Sequence, residues 1–195
     1  HAGVLVNFGN LLLEAGRAGE AGDVFGRAAG VAPGVVEARV GLSRALTLQG
    51  RLLDAADVCR EALVIWPEHA KLSANLAAAL LYAGDSRQAI PCYEFGAARW
   101  PDELPLVMGR AAARNYAGDD DAGRVAEAHR AAGALIARQE GSHPRPPITD
   151  PSPGRRLRIG LISADFRAHA SAFFLDPILR HAGHAAYHLY STGAR

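Results

Sequence analysis

Apolar and small residues recur through residues 2–103 with the spacing of one helix face, and the whole pattern repeats every 34 residues. Counted from Ala2, Val36 and Ala70, the seventh position is Phe8, Leu42 and Leu76, and the eleventh is Leu12, Leu46 and Leu80. Both sets are expected to pack inward. Gly16, Gly50 and Gly84 are expected to end the first helix of each unit, where a residue tolerant of positive φ is favoured. In the second helix Ala21, Ala55 and Ala89, with Ala28, Ala62 and Ala97, are small enough for close helix approach, and Phe25, Cys59 and Tyr93 supply a larger plug. Pro33, Pro67 and Pro101 close the units, because proline cannot continue a helix. A hairpin of this size cannot bury its apolar face alone, so the units must stack into a solenoid.

A fourth unit begins at Leu104 and departs from the pattern. Gly118 is expected to end its first helix, the small residue comes one place early at Ala122, the closing proline is missing, and residues from about Asp121 to Gln139 read as one longer helix. That suits a capping unit, which faces a neighbour on one side only. Asp119, Asp120 and Asp121 read as a helix N-terminus, where carboxylates meet free amides and the macrodipole, in preference to a metal site.

Residues 140–155 change character, with Pro144, Pro146, Pro147, Pro151 and Pro153 interspersed with Gly and Ser. This is a linker composition. Leu157 to Ser163 then reads as a buried strand, Ala172 to Ala182 as a helix and Ala186 to Ser191 as a second strand. Strand, helix, strand over this length is a β-α-β unit, the start of a doubly wound parallel sheet. Ligands gather at the carboxyl ends of such strands, so the loop running from Ser163 to Ser171 draws attention. It lacks the G-x-G-x-x-G cradle for a dinucleotide, which disfavours a nicotinamide or flavin enzyme. Asp165 fits a loop aspartate bonded to nearby backbone amides, and Ser171 fits a cap of the following helix. His181, His184 and His188 have helical spacing, but Gly183 and the second strand put His188 on another element, so they read as surface residues near a turn and not as metal ligands.

Charge adds little to this picture. A net charge of +1 gives no general reason to expect nucleic acid or membrane as partner, and no apolar run approaches the ~20 residues of a membrane span. With 49% hydrophobic residues, 21% charged residues and no signal peptide, the chain is expected to be soluble and cytoplasmic, although it starts at His1 and an export signal before that point would not be seen. Lys71 is the one lysine beside twenty arginines, so Arg155, Arg156 and Arg158 are read as coding bias and not as a phosphate site. Cys59 and Cys92 fall on second helices, where buried free thiols are expected.

The 34-residue pattern is that of the tetratricopeptide family. The run RLRIGLISADFRAHASAFFLDPILRH, residues 156–181, resembles the opening of the catalytic region in the O-linked N-acetylglucosamine transferase family, which includes Spindly-type O-fucosyltransferases and bacterial homologues. Ser163, Asp165, Phe166 and His169 match a segment like S-x-D-F-x-x-H, and Phe174, Leu175, Asp176 and Pro177 match a helix with an internal proline. Glu127, Ala128, His129 and Arg130 resemble the family's helix between solenoid and catalytic region.

The resemblance implies a mostly α chain: a right-handed tetratricopeptide solenoid with units 2–35, 36–69, 70–103 and 104–139, a linker at 140–155, and at 156–195 the start of a doubly wound glycosyltransferase domain. It implies a parent enzyme that transfers sugar from a nucleotide-sugar donor, a UDP-sugar such as UDP-N-acetylglucosamine, to Ser or Thr hydroxyls with inversion; N-acetylglucosamine and fucose transferases share this opening segment, so it does not decide between the two sugars. The family's nucleotide-holding residues have no counterpart in these 195 residues, so no cofactor, donor or metal site is expected within them. His169 is the position the family places beside donor and acceptor hydroxyl, once proposed as general base; an imidazole with reference pKa of about 6.5 can take a proton there, or can instead brace the loop. The family's concave asparagine ladder, which holds polypeptide backbone, is matched at the sixth position by Asn7 and Asn75, with Asn10 nearby, while Gly41 and Gly109 replace it in the other units. These asparagines are either peptide contacts or ordinary polar surface. The partner implied is a polypeptide acceptor on the concave face; the alternative is a scaffold binding partner proteins without catalysis.

Overall fold

The computed structural model describes residues 1–118, 121–141, 152, 155–163, 171–181, 183 and 185–191. The chain divides into two compact units, residues 1–142 and 143–195. The first is a row of helices: α1 (Ala2–Glu14), α2 (Ala18–Val31), α3 (Val36–Leu48), α4 (Leu52–Ile65), α5 (Ala70–Tyr82), α6 (Ser86–Arg99), α7 (Leu104–Arg114) and α8 (Ala122–Glu140). Each helix packs on the next, and α1, α3, α5 and α7 also touch in series, so the odd helices form the inner wall of a tetratricopeptide-like solenoid.

Local chemistry sets the helix ends. Gly16, Gly50 and Gly84 take φ of +74°, +76° and +84°. The N–H of the next residue bonds back across the turn, Arg17 to Leu12 O at 2.8 Å, Arg51 to Leu46 O at 2.9 Å and Asp85 to Leu80 O at 3.0 Å. This is the Schellman closure, and it needs the left-handed residue that glycine supplies without strain. The second helices stop differently. Ala32, Trp66 and Trp100 precede the three prolines and turn extended, with φ of −141°, −123° and −130°. A proline ring excludes the helical conformation from the residue before it, so each helix ends two residues ahead of the proline.

Packing between units follows a rule of reciprocal size. The Phe25 ring is fully buried. A Cβ built on Gly9 would lie 2.7 Å from it, and one on Gly41, in the next unit, 2.2 Å. Tyr93 fills the corresponding slot two units on, where a Cβ on Gly109 would come within 2.0 Å of its ring. Between them the plug is the small Cys59, and there the next unit carries Asn75, whose Nδ2 donates to Ser43 Oγ at 2.8 Å and to Val40 O at 3.2 Å. A large plug thus faces glycine, and a small plug faces asparagine. Cys59→Phe should therefore cost about 1–3 kcal/mol by overpacking. Adding Asn75→Gly should restore most of that loss in urea unfolding, and a double variant no more stable than the single one would contradict the rule.

Three expectations need correction. Leu12, Leu46 and Leu80 are buried as expected, but Phe8 is 50% exposed and Leu42 and Leu76 are half-buried. No described helix covers the outer side of α1, whereas α3 and α5 each lie against a preceding unit. The residue one period after Ala62 is Gly96, not Ala97, and a Cβ there would meet Leu106 at 2.6 Å. Finally, α7 ends at Arg114, four residues before Gly118, and closes by i→i+3 bonds from Asn115, Tyr116 and Ala117, with no positive-φ glycine. α8 runs as one long helix, capped by the Asp121 carboxylate, which accepts the Gly123 N–H at 3.1 Å.

In the second unit β1 (Leu157–Ser163) and β2 (Ala185–Ser191) pair in parallel, with Leu157 opposite Ala185 and Ser163 opposite Ser191. α9 (Ser171–Arg180) lies between them in sequence, completing the β-α-β order, and both α9 and β2 begin one residue earlier than their patterns predict. Ile162, Tyr190, Phe173 and Phe174 are exposed at 72%, 56%, 84% and 76%. Two strands are too few to bury both faces of a sheet.

Candidate functional site

A groove of about 680 Å³ runs along the inner wall. Its floor is Val6, Val40 and Ala74, the fifth residue of three successive first helices. One period sets all three on the same line, because 34-residue units repeat the same helix orientation. Asn10 and Arg44, each four residues further on, form one side; Glu37 and Lys71, at the second position, form the other. Trp100, Glu103 and Leu106 continue the wall into the fourth unit. Glu68 joins this rim and is held by Arg99, whose Nη2 lies 2.6 Å from its carboxylate and whose guanidinium sits 5.9 Å over the Trp100 ring. His69 lines the groove and caps α5, its Nδ1 accepting the Leu72 N–H at 3.3 Å. Apolar floor and rims of mixed charge together suit a stretched polypeptide, whose backbone needs hydrogen bonds at intervals and whose side chains vary in sign.

Of the three asparagines singled out by sequence, Asn10 and Asn75 line the groove. Asn7 is exposed on α1 and lies outside that lining. Asn75 is half-buried, and both amide hydrogens are spent on Val40 O and Ser43 Oγ. What it offers a guest is the carbonyl Oδ1, an acceptor for a backbone N–H. The charged rungs Glu37, Arg44 and Lys71 were missed by sequence reasoning, although the second and ninth positions of each first helix, read at the 34-residue period, mark them.

A second, smaller cavity of about 70 Å³ lies against Arg110, Arg114, Arg124 and Glu127. Arg114, only 8% exposed along its side chain, pairs with Glu94, and Arg124 approaches the same carboxylate at 3.7 Å. The cluster ties α6, α7 and α8 together.

Cys59 and Cys92 are free thiols. Burial pushes the Cys59 thiol up to about 11, and burial also raises Cys92, which is only half-buried. The thiolate is the reactive form, so at pH 8 maleimide should label Cys92 first and leave Cys59 unmodified until the chain unfolds. Mass mapping of the labelled peptides reads the order directly; early labelling of Cys59 would mean that its helix opens locally.

His169, Asp165, Phe166 and His184 lie outside the described residues. Ser163 ends β1 and Ser171 opens α9. His181 stands at the C-terminus of α9 with Nδ1 2.9 Å from Pro177 O, and His188 is half-buried on β2. Among the described residues no three His, Cys, Asp or Glu side chains come together as a metal site, and no helix is long and apolar enough to cross a membrane.

A family model described as tetratricopeptide repeat matches residues 6–70. No curated protein matches the chain in sequence. Among solved structures, a mutant of the Thermobaculum terrenum O-GlcNAc transferase is similar over 100% of this chain at 26% identity and a TM-score of 0.72. The match spans 38% of that longer chain. A thermophilic TPR protein of Thermus thermophilus is similar over 72% of this chain and 75% of its own at 18% identity and a TM-score of 0.63. MamA of Desulfovibrio magneticus is similar over 69% of this chain and 75% of its own at 23% identity and a TM-score of 0.60. In fold and in the matched repeats, α1 to α8 are thus a tetratricopeptide-type scaffold of the kind that mediates contact between proteins, and the chain as a whole is similar to part of an O-GlcNAc transferase.

Proposed function

We propose that this chain is the N-terminal part of a protein O-glycosyltransferase, in which the repeats hold the polypeptide acceptor and a nucleotide-sugar gives up its sugar, with inversion, to a Ser or Thr hydroxyl. The observation that carries this reading is the extent of the likeness. The Thermus and MamA structures cover 72% and 69% of the chain, about the share taken by α1 to α8, whereas the O-GlcNAc transferase covers 100% and so takes in the β-α-β unit as well. A parallel β-α-β unit with exposed apolar faces is the beginning of a larger sheet, which fits a catalytic domain better than a tail.

In this reading the acceptor lies extended along Val6, Val40 and Ala74, and Asn75 Oδ1 takes one of its backbone N–H groups. Glu37, Arg44 and Lys71 meet its side chains with both signs of charge, which favours breadth of sequence over a single motif. The donor, UDP-N-acetylglucosamine in this proposal, would be held by further residues of a longer polypeptide, and His169 would face the acceptor hydroxyl.

Two measurements test the proposal. Calorimetry of the 195-residue chain with UDP-N-acetylglucosamine should show no saturable heat. The longer polypeptide, given the same donor and an acceptor protein, should add sugar to Ser or Thr, read by mass spectrometry. Acceptor binding without sugar addition would favour the alternative of a scaffold without catalysis, which the tetratricopeptide repeats by themselves could provide.

A further inference from the structure

Val4, Phe8 and Leu11 make an apolar stripe on α1, exposed at 67%, 50% and 61%. They are the third, seventh and tenth residues of the first unit. The third position is Ala38, Leu72 and Leu106 in the other units and the tenth is Ala45, Ala79 and Ala113, all six fully buried or nearly so. At the seventh, Leu42 and Leu76 are half-buried. What covers them is the second helix of the preceding unit: Leu106 lies against Gly96, and Ala45 against Gly22. The stripe on α1 therefore continues an interface that recurs at each step of the solenoid.

We infer that the stripe is covered by a further helical hairpin standing before His1 in the same polypeptide, and that the second helix of that hairpin carries a small residue one 34-residue period before Phe25. The size of that residue follows from the packing slots. Where the sixth position of a unit is glycine, as at Gly41 and Gly109, the plug before it is Phe25 or Tyr93; where it is Asn75, the plug is Cys59. The first unit has Asn7 at this place, so its plug is of cysteine, serine or alanine size. Close approach along the stripe also calls for alanine or glycine one period before Ala21 and Ala28, which are fully buried in their own unit. The inference stands apart from the glycosyltransferase reading, since it concerns how the solenoid continues and not what it serves.

The test compares Leu11→Glu, and the milder Leu11→Ala, in the 195-residue chain and in the polypeptide extended to its natural start. In the 195-residue chain both substitutions should leave the melting temperature within about 2 °C, as expected for exposed positions. In the extended polypeptide Leu11→Glu should lower it clearly, Leu11→Ala less, and α1 amides should lose hydrogen-exchange protection. Equal melting of variant and parent in the extended polypeptide would overturn the inference. So would a 195-residue chain that is dimeric by light scattering and made monomeric by Leu11→Glu, since a second copy would then be the occupant. The residue found one period before Phe25 in the extended polypeptide decides the second half: a small side chain supports it, and Phe, Tyr or Trp overturns it.

Discussion

Replacing Phe25 by alanine should lower the unfolding free energy by roughly 3–5 kcal/mol, the cost of emptying a fully buried aromatic site. The ring is 0% exposed and lies between Gly9 and Gly41, where even a methyl group would collide with it. Its flanks are the backbones of α1 and α3, which carry no side chains at these points that could swing in to fill the space. The slot therefore stays empty or forces the helices to move, and both outcomes are costly. In a solenoid each unit touches only its neighbours, so the damage should be local. Hydrogen exchange should show α1, α2 and α3 losing protection while α5 to α8 keep theirs. A loss below about 1 kcal/mol in urea unfolding would mean that the first two units collapse easily onto each other, contrary to the close approach at Gly41.

The second large effect concerns the longer polypeptide of the glycosyltransferase proposal. There, His169→Ala should reduce sugar transfer by about 10²–10⁴-fold if the imidazole acts as general base. Donor affinity should change little, because the base is needed for proton transfer and not for holding the nucleotide. The pH profile separates this role from a bracing one. With the histidine present, kcat/KM should rise as pH passes the ordinary imidazole range of about 6.5, since the neutral ring accepts the proton, and the alanine variant should lose that rise. Unchanged turnover would remove His169 from the mechanism, and a loss of stability with an unchanged pH profile would assign it to bracing the loop.

Much of the fold is legible in short stretches of sequence. A glycine at a helix end selects the left-handed closure by itself, and a proline dictates the conformation of the residue before it. Gly16, Gly50 and Gly84 and the three prolines could therefore be placed by inspection, as could the strand from Leu157 to Ser163. Gly118 misled, because a glycine permits a left-handed turn without requiring one, and α7 had already closed at Arg114. The candidate site was read less well. The repeat pattern leaves Asn75 open as a peptide contact or ordinary polar surface, and in the fold its amide hydrogens belong to Val40 and Ser43, residues more than thirty places away.

The period of 34, the helix ends at Gly16, Gly50 and Gly84 and before the three prolines, and the β-α-β order were written in the sequence alone, since each depends on interactions within a few residues or on a repeat visible by counting. Tertiary structure alone decided which apolar residues are covered and which donors are free. Phe8 and Leu42 share one position in the repeat, yet one is exposed and the other half-buried, because among the described residues a preceding unit lies against α3 and none lies against α1. Burial is a property of neighbours, and in a solenoid those neighbours come from the adjoining unit.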